Sequence, residues 1–359
     1  MDSTNAPQLI EHAQKSLTFT PFDVKWVPSS ARFVLLGQTP SAKGIFQVYQ
    51  LDQKVEGRVK LLSEVTRGPG FKCGTFGAAP LSERAIAVGD FSGKLMIIDL
   101  ETKQEVFSVQ AHTGILNSID GAGGGESAGA FGPPEILTGG RDGIVRVWDP
   151  RQKDPVVSLE PAEHAPDCWS VAFGNSYSSS ERMLAAGYDN GDVKLFDLRT
   201  NYLQWDTNLL NGVCGVQFDR KDTQMNKLAA ATLEGRIHVF DLRTFNASQG
   251  GYARVSEAAH KSTVWGIQHC PSNRDLFVTQ GGNGQLNLYQ YSYPSQRAIA
   301  DENSQPVGVP GTLALLNQRD VSTQPVNSFD WSRDREGLAV LTCLDQTLRV
   351  YFVTKLNLY

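Results

Sequence analysis

Two stretches of the chain repeat one pattern, 139-GGRDGIVRVWDPR-151 and 187-GYDNGDVKLFDLR-199. Each runs from Gly through a polar turn that ends in Gly, then through alternating apolar and polar residues to an aromatic residue and Asp-x-Arg. A repeat found this way sets the fold, so its period is the first quantity to extract. Anchoring on the large apolar residue five positions after the turn gives seven units. Their anchors are Tyr49, Ile98, Trp148, Phe196, Phe240, Tyr289 and Tyr351, spaced 44 to 62 residues apart.

Within each phrase the apolar residues recur at every second position and are rich in β-branched and aromatic types, which is the signature of half-buried strands. No comparably long stretch carries a helical period, so the chain is all-β. Upstream of most anchors lie two further strand-like phrases, such as 168-CWSVAFGN-175 followed by 182-RMLAAG-187. Four short strands per unit describe a blade whose faces are covered only when blades stack around an axis. The units are slightly longer than the 40 to 45 residues of a standard WD repeat. The expected fold is a seven-bladed WD-repeat β-propeller forming one domain, 1–359. Residues 7-PQLIEHAQ-14 resemble the outer-strand phrase 105-EVFSVQAHTG-114, and the last unit ends after its third strand, so the N-terminal strand is expected to complete the last blade. Two segments break the rhythm, about 120–135 and 291–325, and both read as long loops. The Gly-rich run 121-GAGGG-125 has no following helix start and contains nearby Pro133 and Pro134, which argues against a phosphate cradle.

Composition excludes several function classes. The 359 residues carry a formal charge of −5 with no run of Lys or Arg, which gives no footprint for nucleic acid. Nowhere do 18 apolar residues run together, and the N-terminus lacks a basic region followed by an apolar one, so the chain reads as neither secreted nor membrane-spanning. Five scattered cysteines without a C-x-x-C spacing fit reduced thiols in a cytoplasmic protein. His269-Cys270, or His164 with Cys168, lacks the further ligands that a zinc site needs.

His112, Thr138, Asp142 and Trp148 occupy the positions of the hydrogen-bonded row that commonly braces a WD repeat. Other units keep parts of it, with His164 opposite Asn190 and Phe196, and His260 opposite Asn283 and Tyr289. A Thr-His-Asp trio invites comparison with a hydrolase triad. Its recurrence in fragments with the repeat speaks for a structural role, and no catalytic, cofactor or metal residue is expected. Three consecutive units end in Asp149-Pro-Arg151, Asp197-Leu-Arg199 and Asp241-Leu-Arg243. They are expected to tie the turn through Asp and reach a neighbouring blade through Arg, or alternatively to dock the propeller adaptor of a cullin-RING ubiquitin ligase. Alignment of the units places Phe22, Lys72, Asn117, Trp169, Cys214, Trp265 and Asn327 at the entry to the inner strands, near the channel mouth, with Phe91, Arg141 and Asp189 in the turns beside them. This rim is the candidate partner surface, because Trp and Arg are the usual energetic anchors of interfaces.

The phrases 135-EILTGGRDGIVRVWDPRQKD-154, 167-DCWSVAFGNSY-177, 211-NGVC-214, 218-FDRKDTQMNKLAA-230, 257-EAAHKSTVW-265 and 354-TKLN-357 go beyond a generic repeat. Together they resemble the Monad-type family of WD-repeat proteins, which are axonemal dynein assembly factors; the similarity runs from 23-DVKWVP-28 to the C-terminus. The resemblance implies a cytoplasmic, non-enzymatic adaptor that is monomeric on its own, needs no cofactor, and also reaches the cilium or flagellum. It further implies partnership with the R2TP co-chaperone, including its tetratricopeptide protein, with prefoldin-like subunits, and with axonemal dynein heavy chains.

Overall fold

A computed structural model describes residues 6–79, 84–124, 134–161, 165–178, 180–246, 250–300 and 305–359. Seven four-stranded antiparallel sheets form the blades of a β-propeller. The first six run inner to outer in chain order, beginning with Thr20–Trp26, Arg32–Gln38, Lys43–Leu51 and Val59–Pro69 in blade 1. In blade 7 the strands Val326–Trp331, Leu338–Cys343 and Thr347–Val353 are joined by Leu9–Ser16, which pairs with Thr347–Val353 from Leu9 opposite Val353 to Ser16 opposite Thr347. All seven anchor residues lie in the third strands.

Burial explains why the strands have this composition. The second strands of blades 2 to 7, such as Met183–Tyr188 and Lys227–Thr232, are buried at every position, because neighbouring blades cover both of their faces. A run of small and branched apolar residues, rather than an alternation, satisfies that environment. The core is accordingly divided into seven clusters, each shared by two adjacent blades. Val34 and Leu36 face blade 2, for example, while Phe33 and Leu35 on the same strand face blade 7. Stacking of this kind buries apolar surface that a lone sheet would leave in water.

The two rhythm-breaking segments differ from expectation. Segment 291–325 is not a loop: it contains the outer strand of blade 6, Thr312–Asp320, and a small hairpin of Ala298–Ala300 with Pro306–Gly308. The free edge of Gln285–Ser292 recruits that outer strand across the hairpin. Segment 120–135 is shorter as a connection than expected. Residues 120–122 belong to the inner strand Leu116–Ala122, the next strand starts at Glu135, and residues 125–133 lie outside the described residues.

Candidate functional site

The braced row is present in blade 3. Asp142 Oδ1 lies 2.9 Å from His112 Nδ1, His112 Nε2 lies 2.8 Å from Thr138 Oγ1, and Trp148 Nε1 donates to Thr138 Oγ1 at 2.9 Å. Trp148 donates to Thr138, and the His112 ring joins Thr138 to Asp142. Burial pushes the Asp142 carboxyl upward, but the hydrogen bond and charge of His112, with the N–H groups of Thr113 and Ile144, outweigh it and hold the carboxyl below its ordinary range. Blade 6 repeats the row imperfectly. His260 meets Thr279 at 2.7 Å, yet His260 Nδ1 and Asn283 Oδ1 are buried without a well-aligned partner. Burial pushes the His260 imidazole down to about 4, opposed only in part by Asn283. His164 lies outside the described residues, and Asn190 is exposed and bonded only locally, to Asp192 and Asn208.

Asp142→Ala is therefore expected to destabilise the protein by about 1–3 kcal/mol, the cost of stranding a buried donor. Asn190→Ala should cost about 0.5 kcal/mol or less, the ordinary size of a surface change. Chemical denaturation of both variants checks the difference, and equal losses would deny the row its bracing role.

The Asp-x-Arg endings do not bridge blades as expected. Arg151 turns back onto Asp149 through bonds of 2.9 and 2.5 Å, and Arg199 stands 3.7 Å from Asp197. Only Arg243 also touches the next blade, lying 4.1 Å over the ring of Tyr293 while it holds Asp241 at 2.8 and 2.6 Å. A carboxylate two residues away is the nearer partner for a planar, bidentate guanidinium.

The rim has a backbone cause. Each of the seven inner strands carries a β-bulge near its start, and the residues skipped in the register are Phe22, Lys72, Asn117, Trp169, Cys214, Trp265 and Asn327. A bulge leaves one residue unpaired and re-aims its side chain. One further bond recurs beside it: Phe91, Arg141, Asp189, Leu233, Gly282 and Leu344 each donate their backbone N–H to the residue just before the neighbouring inner strand. These turns and bulges therefore share one end of the cylinder.

The bulge residues are not equivalent. Phe22 packs edge-on against Phe91 with centroids 5.0 Å apart, and Lys72 Nζ lies 5.2 Å over Phe22. Asn117 and Asn327 spend their amides on the neighbouring blades, at Cys168 O and Pro21 O. Cys214 is partly buried, and burial pushes its thiol up to about 12, which keeps it protonated and unreactive. Trp169 and Trp265 remain, and both rest on glycines. A side chain at Gly212 would strike Trp169 and Leu233, and one at Gly282 would meet the Trp265 indole nitrogen.

Of the six tryptophans, Trp26, Trp148, Trp205 and Trp331 are buried and donate their indole N–H to Asp330 O, Thr138 Oγ1, Gly250 O and Gln268 O. Among the described residues, Trp169 and Trp265 have no such acceptor, and Trp265 is 43% exposed. Two leucines of blade 5 complete an apolar arc between them, Leu210 at 87% exposure and Leu233 at 37%. Sequence alignment missed both. Leu233 occupies the turn position of Arg141 and Asp189, the signal by which it could have been found. Leu210 holds a left-handed backbone at φ 70°, anchored by a 2.8 Å bond from its N–H to Asn208 Oδ1. A branched residue in that region is strained and, at this exposure, gains nothing from burial.

No helix among the described residues is long and apolar enough to cross a membrane, and none of their His, Cys, Asp and Glu side chains gather into a metal-binding group. All five cysteines are free.

Residues 103–149 match the family described as WD domain, G-beta repeat. The chain is 53% identical to dynein axonemal assembly factor 10 of Xenopus tropicalis over 356 residues, covering 98% of both chains. It is 52% identical to the proteins of that name from Homo sapiens and Chlamydomonas reinhardtii, each over 362 residues and 99% of both chains. The similarity thus extends almost end to end along the chain whose seven blades are described above, and the chain belongs to the dynein axonemal assembly factor 10 family.

Proposed function

We propose that this protein is a non-catalytic scaffold for the preassembly of axonemal dynein heavy chains in the cytoplasm of ciliated or flagellated cells, and that it docks its partners on the arc formed by Trp169, Leu210, Leu233 and Trp265. The relatives are named for axonemal dynein assembly, which supports the process. The observation that carries the docking surface is the pair of bulge tryptophans, Trp265 exposed and Trp169 half-buried, with unspent indole donors, when every other tryptophan is buried and bonded. Strained, exposed Leu210 adds to it, because interface residues that cost the fold recover that cost only on binding. The R2TP co-chaperone, its tetratricopeptide protein and prefoldin-like subunits are the proposed collaborators, in keeping with the family resemblance of the sequence. No observation favours the ligase-docking alternative, since the arginines of the Asp-x-Arg endings are turned toward their own carboxylates.

The test replaces both tryptophans, Trp169→Ala with Trp265→Ala, in protein expressed in a ciliated cell line. Hot-spot tryptophans contribute 2 kcal/mol or more each, so recovery of dynein heavy chains and co-chaperone ATPases should fall by roughly tenfold or more. The melting temperature should stay close to that of the parent. Undiminished recovery with a folded variant would place the docking surface elsewhere.

A further inference from the structure

Charge around the Trp169 end of the arc is unbalanced. Asp167 immediately precedes the inner strand that carries Trp169, and Asp189 donates its backbone N–H to Asp167 O at 3.0 Å. Asp189 O and the Trp169 ring both close on Gly212, at 2.8 and 2.6 Å from where a Cβ would stand, so the two carboxylate-bearing turns and the indole lie side by side and form one seat. Glu234, next to Leu233, holds only Asn211 Nδ2, at 2.9 Å. Of the surrounding lysines, one is engaged and the other is exposed. Lys194 lies 4.9 Å over Tyr188 and 4.0 Å from Asp192, and Lys261 stands in the loop that enters blade 6. Arg141 alone reaches toward the carboxylates, at 3.7 Å from Asp167 with 63% of its side chain exposed. Asp142, the remaining acid of this sector, is already bonded to His112, Thr113 and Ile144.

We propose that this seat recognises a positively charged peptide segment, with an Arg or Lys side chain lying on the Trp169 face between Asp167 and Asp189 and a neighbouring apolar side chain lodged against Leu210 and Leu233. The proposal deepens the docking reading above and rests on it. A cation over an indole face is attracted by the ring quadrupole, most strongly when carboxylates and partial burial remove water from it. Asp167 already shows the unmet demand: burial first, and then the charges of Asp189 and Asp142, push its carboxyl above the ordinary range, with Arg141 opposing them only in part. A partner's cation would relieve that repulsion. Loosely held Arg141 is its competitor within the chain. An acidic segment would meet Asp167, Asp189 and Glu234 instead and be repelled.

The probe is a pair of synthetic twelve-residue peptides, one combining Leu with Arg and one with Glu at every Arg position, titrated against the full-length protein. Two of the six tryptophans, Trp169 and Trp265, are not buried, so indole emission reports occupancy, and calorimetry gives the affinity independently. The Leu-Arg peptide is expected to bind and the Leu-Glu peptide is not. Binding should weaken with salt, fall at least tenfold in Asp167→Asn with Asp189→Asn, and tighten several-fold in Arg141→Gln, which removes the competitor without disturbing the fold. Equal binding of the two peptides, no binding of either, or indifference to the Asp167 and Asp189 changes would overturn the proposal. The docking reading is judged separately: if the tryptophan variant loses dynein chains while the aspartate variant keeps them, the arc remains the docking surface and its preference for cations falls.

Discussion

Deletion of residues 1–16 is expected to open the ring at blade 7, lowering stability on the order of 5 kcal/mol or more and producing oligomers. The strand Leu9–Ser16 forms the outer edge of that blade along the whole of Thr347–Val353. Its contacts are not confined to the ladder. Leu9 is buried in the core between blades 6 and 7, and Ala13 in the core between blades 7 and 1. The Tyr351 hydroxyl donates to Glu11 at 3.0 Å, Thr354 N–H donates to Gln8 O at 3.0 Å, and Asn317 donates its amide to Pro7 O. Loss of these groups removes several net hydrogen bonds and about one fully buried aliphatic side chain, a large share of the 5–15 kcal/mol by which domains are roughly stable. It also leaves the N–H and C=O groups of Thr347–Val353 unpaired, a template for another chain. Thermal melts and light scattering of the truncated protein read both effects. A monomer that melts with the full-length chain would mean that the ring holds without this strand.

Lys227→Ala should be the most damaging single substitution described here, at about 3–5 kcal/mol, the usual cost of leaving a buried charge network without one member. Lys227 has no solvent exposure and lies between blades 5 and 6. Its ammonium is 2.6 Å from Asp275 Oδ1, 3.3 Å from Asp219 Oδ2 and 2.6 Å from the Tyr293 hydroxyl, and it sits over the rings of Tyr291 and Tyr293 at 5.2 and 4.6 Å. Asp219 is equally buried and also accepts from Arg274 at 2.8 Å and from the N–H groups of Arg220 and Asn226. Removing Lys227 leaves two carboxylates for one guanidinium, and one of them, Asp219, is shut away from solvent. Lys227→Met keeps the stem's packing and should lose less. The effect has a pH signature. Burial pushes the Asp219 carboxyl up, but the hydrogen bond from Arg274 and the charge of Lys227 outweigh it and hold it below the ordinary carboxylate range. A depressed carboxyl stabilises the fold above its unfolded value, near 4 by ordinary reference, and that stabilisation is lost as pH falls through the folded value. The gap between parent and variant in urea should therefore be full at neutral pH and narrow below about pH 4. A gap that is small at pH 7, or that grows on acidification, would contradict the charge account.

What sequence alone determined about this protein is whatever is written locally. Alternation and turn residues within a dozen positions identify a third strand and its anchor, and seven such phrases determine a seven-bladed ring. The bulge positions were legible for the same reason, because each occupies a fixed offset in its unit. Tertiary structure decided whatever depends on a neighbour. The outer strand Thr312–Asp320 has only partial burial and no clean alternation, and it becomes a strand because Gln285–Ser292 offers it an edge. Lys227 is an ordinary surface residue by composition and becomes a buried hub because Asp219, Asp275 and Tyr293 converge on it from separate segments. Trp148 and Trp265 are one residue type. Thr138 binds the first indole, while the bulge at the start of blade 6 turns the second out to solvent, so their roles diverge through contacts that no local pattern contains.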